Sequence, residues 1–435
     1  MREMKDSGVE WIGQIPTNWS LERLQWHLVE IRESNNPIKT TNVLSLTNKL
    51  GVIPYEEKGN QGNISKEHYE EYNLAYPETI VANSMNILIG SVGICNYFGC
   101  VSPVYFVFQP KEGENISFIN YLLQVREFQR ELRRYANGIL EIRLRVSVNG
   151  ILKRYVPFPD RQEQRKIANF LDAKTASINA LITNNEAQME QLRQYKQSLI
   201  TETVTRGLDL NAPMKDSGVE WIGQIPQSWK IRRVRDIGWT QNGISKSGEF
   251  FGSGFPFVSY GDVYRNYALP NIVTGQIESD GKERENYSVQ AGDIFFTRTS
   301  ETIEEVGFSS VCKATIPDAV FAGFLIRLRP YKAESIVSSD YAKYYFRGSH
   351  IRGYLTKEMN LVTRASLSQG LLKAMSVLVP PMDEQKAIAE YLDRRVSQIE
   401  TVITLKQSKI EKLKQYRQSL IYEYVTGKKE VRPEQ

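Results

Sequence analysis

The chain has 435 residues, 41% hydrophobic and 24% charged, with 55 Lys and Arg against 50 Asp and Glu. Length and composition point to about two to four globular domains and exclude a disordered polymer. No apolar run approaches a membrane span and no signal-peptide pattern is present, so a cytoplasmic protein is expected.

Three cysteines (Cys95, Cys100, Cys312) are odd in number and unpaired across the repeat described below. They suit a reducing compartment rather than a disulfide framework. The net charge of +5 is too mild to identify a nucleic-acid partner, so its distribution carries more information.

In chain order, the first feature is MKDSGVEWIGQIP at Met4 to Pro16. It recurs unchanged at Met214 to Pro226, an offset of 210, with Trp19 and Trp229 following at the same spacing. Thirteen identical residues mark a tandem duplication. Glu163-Gln164 and Glu384-Gln385 also recur, but at an offset of 221, so the stretch between the repeats is about 11 residues longer in the second half. The order is a repeated motif (1–19), a first variable block (20–157) and a first long helix (158–207). A linker with the repeated motif (208–229), a second block (230–379), a second long helix (380–428) and a tail (429–435) follow. The two blocks share little sequence. An identical frame with divergent inserts reads as one scaffold holding two modules with similar jobs on different targets.

Each block reads as mixed α/β with short strands. Strand-like runs are 43–47, 79–83, 104–108 and 154–158 in the first, and 255–260, 293–299, 324–329 and 376–380 in the second. One helical run is expected in each, Phe118 to Tyr135 and Asp340 to Tyr354.

The long helices are expected over about 160–205 and 383–426. Their apolar residues recur in threes, fours and sevens, a narrow seam of about 3.5-residue period. In the first these are Leu171, Ile178, Ile182, Met189, Leu192 and Leu199. In the second they are Leu392, Val396, Ile399, Ile403, Ile410, Leu413 and Leu420. Asp160 and Glu163 have capping-box spacing, and Gly207 and Gly427 sit at the expected stops. A rod of roughly 65 Å with one thin stripe needs a partner helix, and the other copy is the economical one. Polar residues interrupt the seams at Asn185, Lys406, Lys196 and Arg417, where they can set register. Two amphipathic helices on separate cores are the plainer alternative.

Catalytic motifs are not found. The three histidines (His27, His68, His350) form no ligand cluster with Cys or carboxylates. There is no G-x-x-x-x-G-K-[ST] loop, no Asn-Pro-Pro-aromatic signature and no G-x-S-x-G. Gly252-Ser253-Gly254 is a lone fragment. A binding role without metal or cofactor is therefore favoured.

Charge gathers just before each long helix. Residues 121–154 hold eight basic residues against three acidic, including Arg126, Arg133, Arg134, Arg143 and Arg145. Residues 341–375 hold six against one, including Arg347, Arg352, Lys357 and Arg364. Tyr135, Tyr344, Tyr345, Tyr354 and His350 lie among them. Such tracts suit a phosphate cradle, with Arg and Asn left to read base edges. Solvated helix faces would look similar. The segments 139–148 and 360–369 correspond in position, each with Arg beside Ser or Thr, among them Thr363.

These residues resemble the specificity subunit of type I restriction-modification systems. The resemblance spans the chain. It rests on EWIGQIPxxW (Glu10–Trp19, Glu220–Trp229), on the Pro-then-Glu-Gln helix openings at Pro159 and Pro380-Pro381, and on QYKQSLI and QYRQSLI at 194–200 and 415–421. Gly292 to Arg298, GDIFFTR, resembles a phrase of target recognition domains. The first half departs there, with Glu78 to Asn83 in its place and no Gly-Asp.

The resemblance implies an α+β fold: two mixed α/β target recognition domains separated by a long antiparallel two-helix coiled coil, pseudo-twofold symmetric. Each domain would read half of a bipartite DNA target, and helix length would set the spacer. Two modification subunits would bind S-adenosylmethionine and methylate adenine, and restriction subunits would use ATP and Mg, leaving this chain non-catalytic. Candidate DNA contacts are Asn83, Arg126, Arg133, Arg134, Arg143, Arg145, Arg298, Thr299, Arg347, Arg352, Lys357, Thr363 and Arg364. A coiled-coil adaptor presenting two protein-binding domains and a stand-alone DNA enzyme are the competing readings.

Overall fold

The thirteen-residue repeat folds the same way twice. Met4–Asp6 pairs antiparallel with Gln14–Pro16, and Met214–Asp216 with Gln224–Pro226, in the same register. The computed structural model describes residues 2–47, 51–58, 68–138, 144–300, 305–331, 336–358 and 365–432. It divides into two units, residues 1–186 with 407–435, and residues 187–406. The division falls inside both long helices, Arg161–Arg206 and Met382–Val425. Each unit therefore holds one hairpin, one domain and part of each helix.

In the first unit, Ser20–Arg23 pairs with Tyr155–Phe158, which closes the domain at its two ends. An antiparallel sheet runs in the order Leu28–Ile31, Tyr105–Pro110, Thr79–Asn83, Val92–Cys95. Thr79–Asn83 is buried at every position, with the apolar Ile80, Val81 and Ala82 between two buried polar ends. Leu44–Thr47 alternates between buried and half-buried, as a strand with one covered face does. Leu44, Leu46, Val52, Val81, Val101 and Val107 pack together as a core.

The second unit repeats this plan. Lys230–Arg233 pairs with Ser376–Val379. Its sheet runs Gly238–Asn242, Leu325–Pro330, Ile294–Thr297, Ser309–Val311, the same order in chain terms as the first domain's. Added to it is a three-stranded sheet with Phe251–Val258 between Gly275–Ile277 and Val320–Phe321, the latter pair parallel.

Each expected helical run is in fact two helices. Ile116–Leu123 and Arg126–Arg133 are separated where Val125 turns extended. Ser339–Tyr345 and Ser349–Glu358 are separated at Gly348, where a Cβ would meet the His350 ring at 2.4 Å.

The long helices run antiparallel within each unit. In the first, the Phe170 and Tyr424 rings lie 4.5 Å apart and Arg417 donates to Asn179. In the second, Lys196 pairs with Glu400 at 2.7 Å, Arg395 donates to Tyr195 at 3.2 Å and Lys406 donates to Gln188. Leu171, Ile178, Ile182, Met189, Leu392, Val396, Ile399, Ile410 and Leu420 are buried. Leu192, Leu199, Ile403 and Leu413 are half-buried. Asn185 is buried but donates to Leu181 O of its own helix at 2.7 Å, so that bond sets no register across the pair. Gly207 and Gly427 end the helices at φ of 78° and 72°, values that favour glycine.

Candidate nucleic-acid interface

The repeated motifs form the same bracket in each unit. The Trp19 indole N–H donates to Glu163 at 2.9 Å, and that of Trp229 to Glu384 at 2.9 Å. Glu163 N donates to Asp160 at 2.8 Å, but the Glu163 carboxylate accepts from Trp19 and Arg2 instead of turning back to complete the capping box. The neighbouring glutamine reaches into the domain. Gln164 accepts from Asn115 N at 3.1 Å, and Gln385 from Ser338 N at 2.8 Å. Asn115 and Ser338 in turn cap the first helix of each domain's pair. About two turns further along each long helix, Tyr121 donates to Asp172 and Tyr344 to Asp393, each at 2.7 Å. Trp, Glu and Gln thus lock hairpin, long helix and domain together.

The basic tracts do not form uniform cradles. Arg347, a candidate DNA contact, is engaged within the fold. Its guanidinium donates to the carbonyls of Ser309 and Val263 at 2.7 Å, Asn266 at 2.8 Å and Tyr264 at 3.0 Å. It also lies against the Tyr267 and Phe308 rings, and burial lowers its pKa to about 10. Arg352 donates to Val306 O beside the same Phe308 ring. Tyr344, Tyr345, Tyr354 and His350, which lie among the basic residues of that tract, are core residues. Burial and then Arg352 push the His350 pKa down to about 3. Asn83 is buried, and its side chain accepts from Met85 N at 3.0 Å to shape a turn.

Two further cations are tied to the repeat. Arg134 pairs with Glu10 at 2.8 Å, and Lys357 pairs with Glu220, the same residue of the duplicated motif. These pairs are exposed, so water screens them and a DNA phosphate can compete for either cation.

The structure does bring strand end and tract together. Val146 N donates to Ser84 O at 3.0 Å, and Leu367 N donates to Arg298 O at 2.7 Å. Short ribbons form there: Ala136–Asn137 with Arg145–Val146, and Thr299–Ser300 with Ala365–Ser366. Arg145 is exposed on its ribbon, Arg126 and Arg133 on their helix, while Arg298 and Thr299 are half-buried. Arg143, Thr363 and Arg364 lie outside the described residues.

Sequence reasoning missed a cluster beside Thr299. Glu305 accepts from Tyr264 at 3.1 Å and from Ser300 at 3.0 Å. No spacing pattern joins positions 264, 300 and 305; only the fold does.

Among the described residues, no group of three or more His, Cys, Asp or Glu is placed to hold a metal. No helix among them is long and apolar enough to cross a membrane. The three cysteines are free and buried, and burial raises the Cys100 thiol to about 11.

A family model described as type I restriction modification DNA specificity domain matches residues 26–191 and 226–415. The chain is 22% identical over 306 residues to the EcoKI specificity subunit of Escherichia coli K12, covering 67% of this chain and 62% of that one. It is 21% identical over 348 residues to the MjaVIII specificity subunit of Methanocaldococcus jannaschii, covering 80% and 77%. A solved structure described as the basis of complex assembly and conformational transition of the type I restriction-modification system shares the fold. Its TM-score is 0.71 at 14% identity, covering 94% of this chain and 98% of that one.

Proposed function

This chain belongs to the type I restriction-modification DNA specificity family, and from that premise we propose that it reads a two-part duplex sequence, one domain to each part. It assembles with two modification subunits, which bind S-adenosylmethionine and methylate adenine, and with restriction subunits that use ATP and Mg. The chain itself holds no cofactor and carries out no catalytic step. Its work is to place a chosen adenine where the partner can flip it from the stack.

One observation carries the reading: a frame identical at thirteen consecutive positions holds two domains of the same strand order and unlike sequence. Equal frames suit two copies of one partner. Unlike domains suit two unlike half-sites, as half-site geometry requires. Exposed Arg126, Arg133 and Arg145 in the first domain, with Arg298 in the second, supply phosphate contacts that set register, while groups nearer the groove read bases. The paired helices set the number of unread base pairs between the parts.

The test is the salt dependence of duplex affinity, measured with the modification subunits present. With several phosphate contacts, affinity falls by about a thousandfold or more between 50 and 200 mM salt. An affinity indifferent to salt would sink the DNA reading and favour a coiled-coil adaptor that presents two protein-binding domains.

A further inference from the structure

We infer that Glu305 is a base-reading residue of the second domain, whose carboxylate accepts from an exocyclic amino group in the major groove. The inference rests on the proposed DNA-reading role.

Glu305 is exposed, and among the described residues no Lys, Arg or His pairs with it. Two neutral hydroxyls hold it instead, Tyr264 on one oxygen and Ser300 on the other. Each carboxylate oxygen offers two acceptor sites, so each keeps one for an incoming donor. Among the described residues its charge has no ion-pair partner, and a DNA phosphate would repel it. On a surface that meets a duplex, an amino group on a base edge is the chemistry that fits.

The shelf beneath it is rigid. Thr297, the last residue of the central strand, donates to Glu305 O at 3.4 Å and accepts from Phe308 N at 2.9 Å. Arg347 ties the carbonyls of Val263, Tyr264 and Asn266 on one side to that of Ser309 on the other, and Arg352 ties Val306. The Tyr264 ring stacks on Tyr260 and meets Phe308 at 5.1 Å. Two arginines expected on DNA thus act as positioning residues for the tyrosine and turn that carry the glutamate. Of the three glutamates in 301–305, only Glu305 is among the described residues.

Among the described residues, the strand end of the first domain has no counterpart. Its strand end runs from Asn83 through Gly90 with no carboxylate, and Ile89 there is 69% exposed. Among the described residues the acid is found at one strand end alone.

Cytosine N4 and adenine N6 both present the required donor, and substitution separates them. Glutamine is the usual bidentate partner of adenine, whereas glutamate accepts from cytosine. The experiment maps methylated adenines by single-molecule sequencing in cells carrying this chain with its modification subunits. For a cytosine reader, Glu305→Gln admits adenine at one position of one half-site. Glu305→Ala lets all four bases in there, with discrimination falling by roughly one to two orders of magnitude. For an adenine reader, Glu305→Gln sharpens that position and Glu305→Ala relaxes it. In both cases Tyr264→Phe relaxes the same position to a smaller degree, and the other half-site and the spacing stay as they were.

Wild-type motifs from both Glu305 variants overturn the inference, as does a change confined to the other half-site. If Glu305→Ala abolishes methylation, wild-type motifs from both Glu305→Gln and Tyr264→Phe overturn it equally. A wild-type complex that methylates an uninterrupted sequence, or none, defeats the two-part reading first and separately.

Discussion

Arg347 sends its guanidinium to four backbone carbonyls, whereas Arg145 in the first domain is exposed on its ribbon. Both lie in tracts that precede a long helix and both carry one charge, so position along the chain cannot separate their uses. Removing Arg347 leaves buried carbonyls without donors, a loss of order 2–4 kcal/mol. Arg347→Met is therefore expected to lower the melting temperature of the second unit. Arg145→Ala leaves melting unchanged and reduces the slope of log affinity against log salt by about one. A thermal melt and a salt titration on both variants check the pair, and the reverse pattern would contradict the assignment. The tracts were legible as charge. That Tyr267 and Phe308 sandwich one of their arginines was not, because those rings come from 80 and 39 residues upstream.

At the scale of elements, the long helices were the most legible part of the chain. Their seam repeats over more than ten turns, and 46- and 44-residue helices were observed where about 45 residues each were expected. Short helices were less so, because the breaks at Val125 and Gly348 answer to packing rather than to period. Strand order was not legible at all, yet it is common to both domains despite their unlike sequences. The helix pair supports a direct expectation. Inserting one heptad after Glu186 and one after Lys406 keeps both seams in phase and adds about 10 Å. At 3.4 Å per base pair the unread spacer should lengthen by about three base pairs. Methylation mapping measures the change, and unchanged spacing would show that the helices do not set it. A heptad in one helix alone puts the pair out of register and should reduce stability.

At the scale of the whole molecule, the duplication makes the first unit a closed circuit. Arg2 pairs with Glu430 at 3.4 Å, Tyr422 donates to Trp11 O at 3.2 Å and Lys428 donates to Ile12 O at 2.5 Å. The end of the second helix meets the first hairpin just as Gly207, at the end of the first helix, meets Trp229. Residues 208–213 connect helix to hairpin in the second unit, with Leu210 86% exposed. Joining 435 to 1 through a few linker residues and opening the chain within 208–213 should therefore give a folded protein with unchanged target. Loss of folding in that permutant, measured by circular dichroism, would contradict the circuit.

What the linear chain determined was whatever repeats: thirteen identical residues, the Glu-Gln openings, a 3.5-residue seam, and through them the family. Repetition and period are local properties, readable without knowing who meets whom. The tertiary structure decided which of several equal charges face solvent and which bind carbonyls. It also gathered Tyr264, Ser300 and Glu305 at one strand end, because burial and hydrogen bonding depend on partners that only the folded chain brings within 3 Å or so.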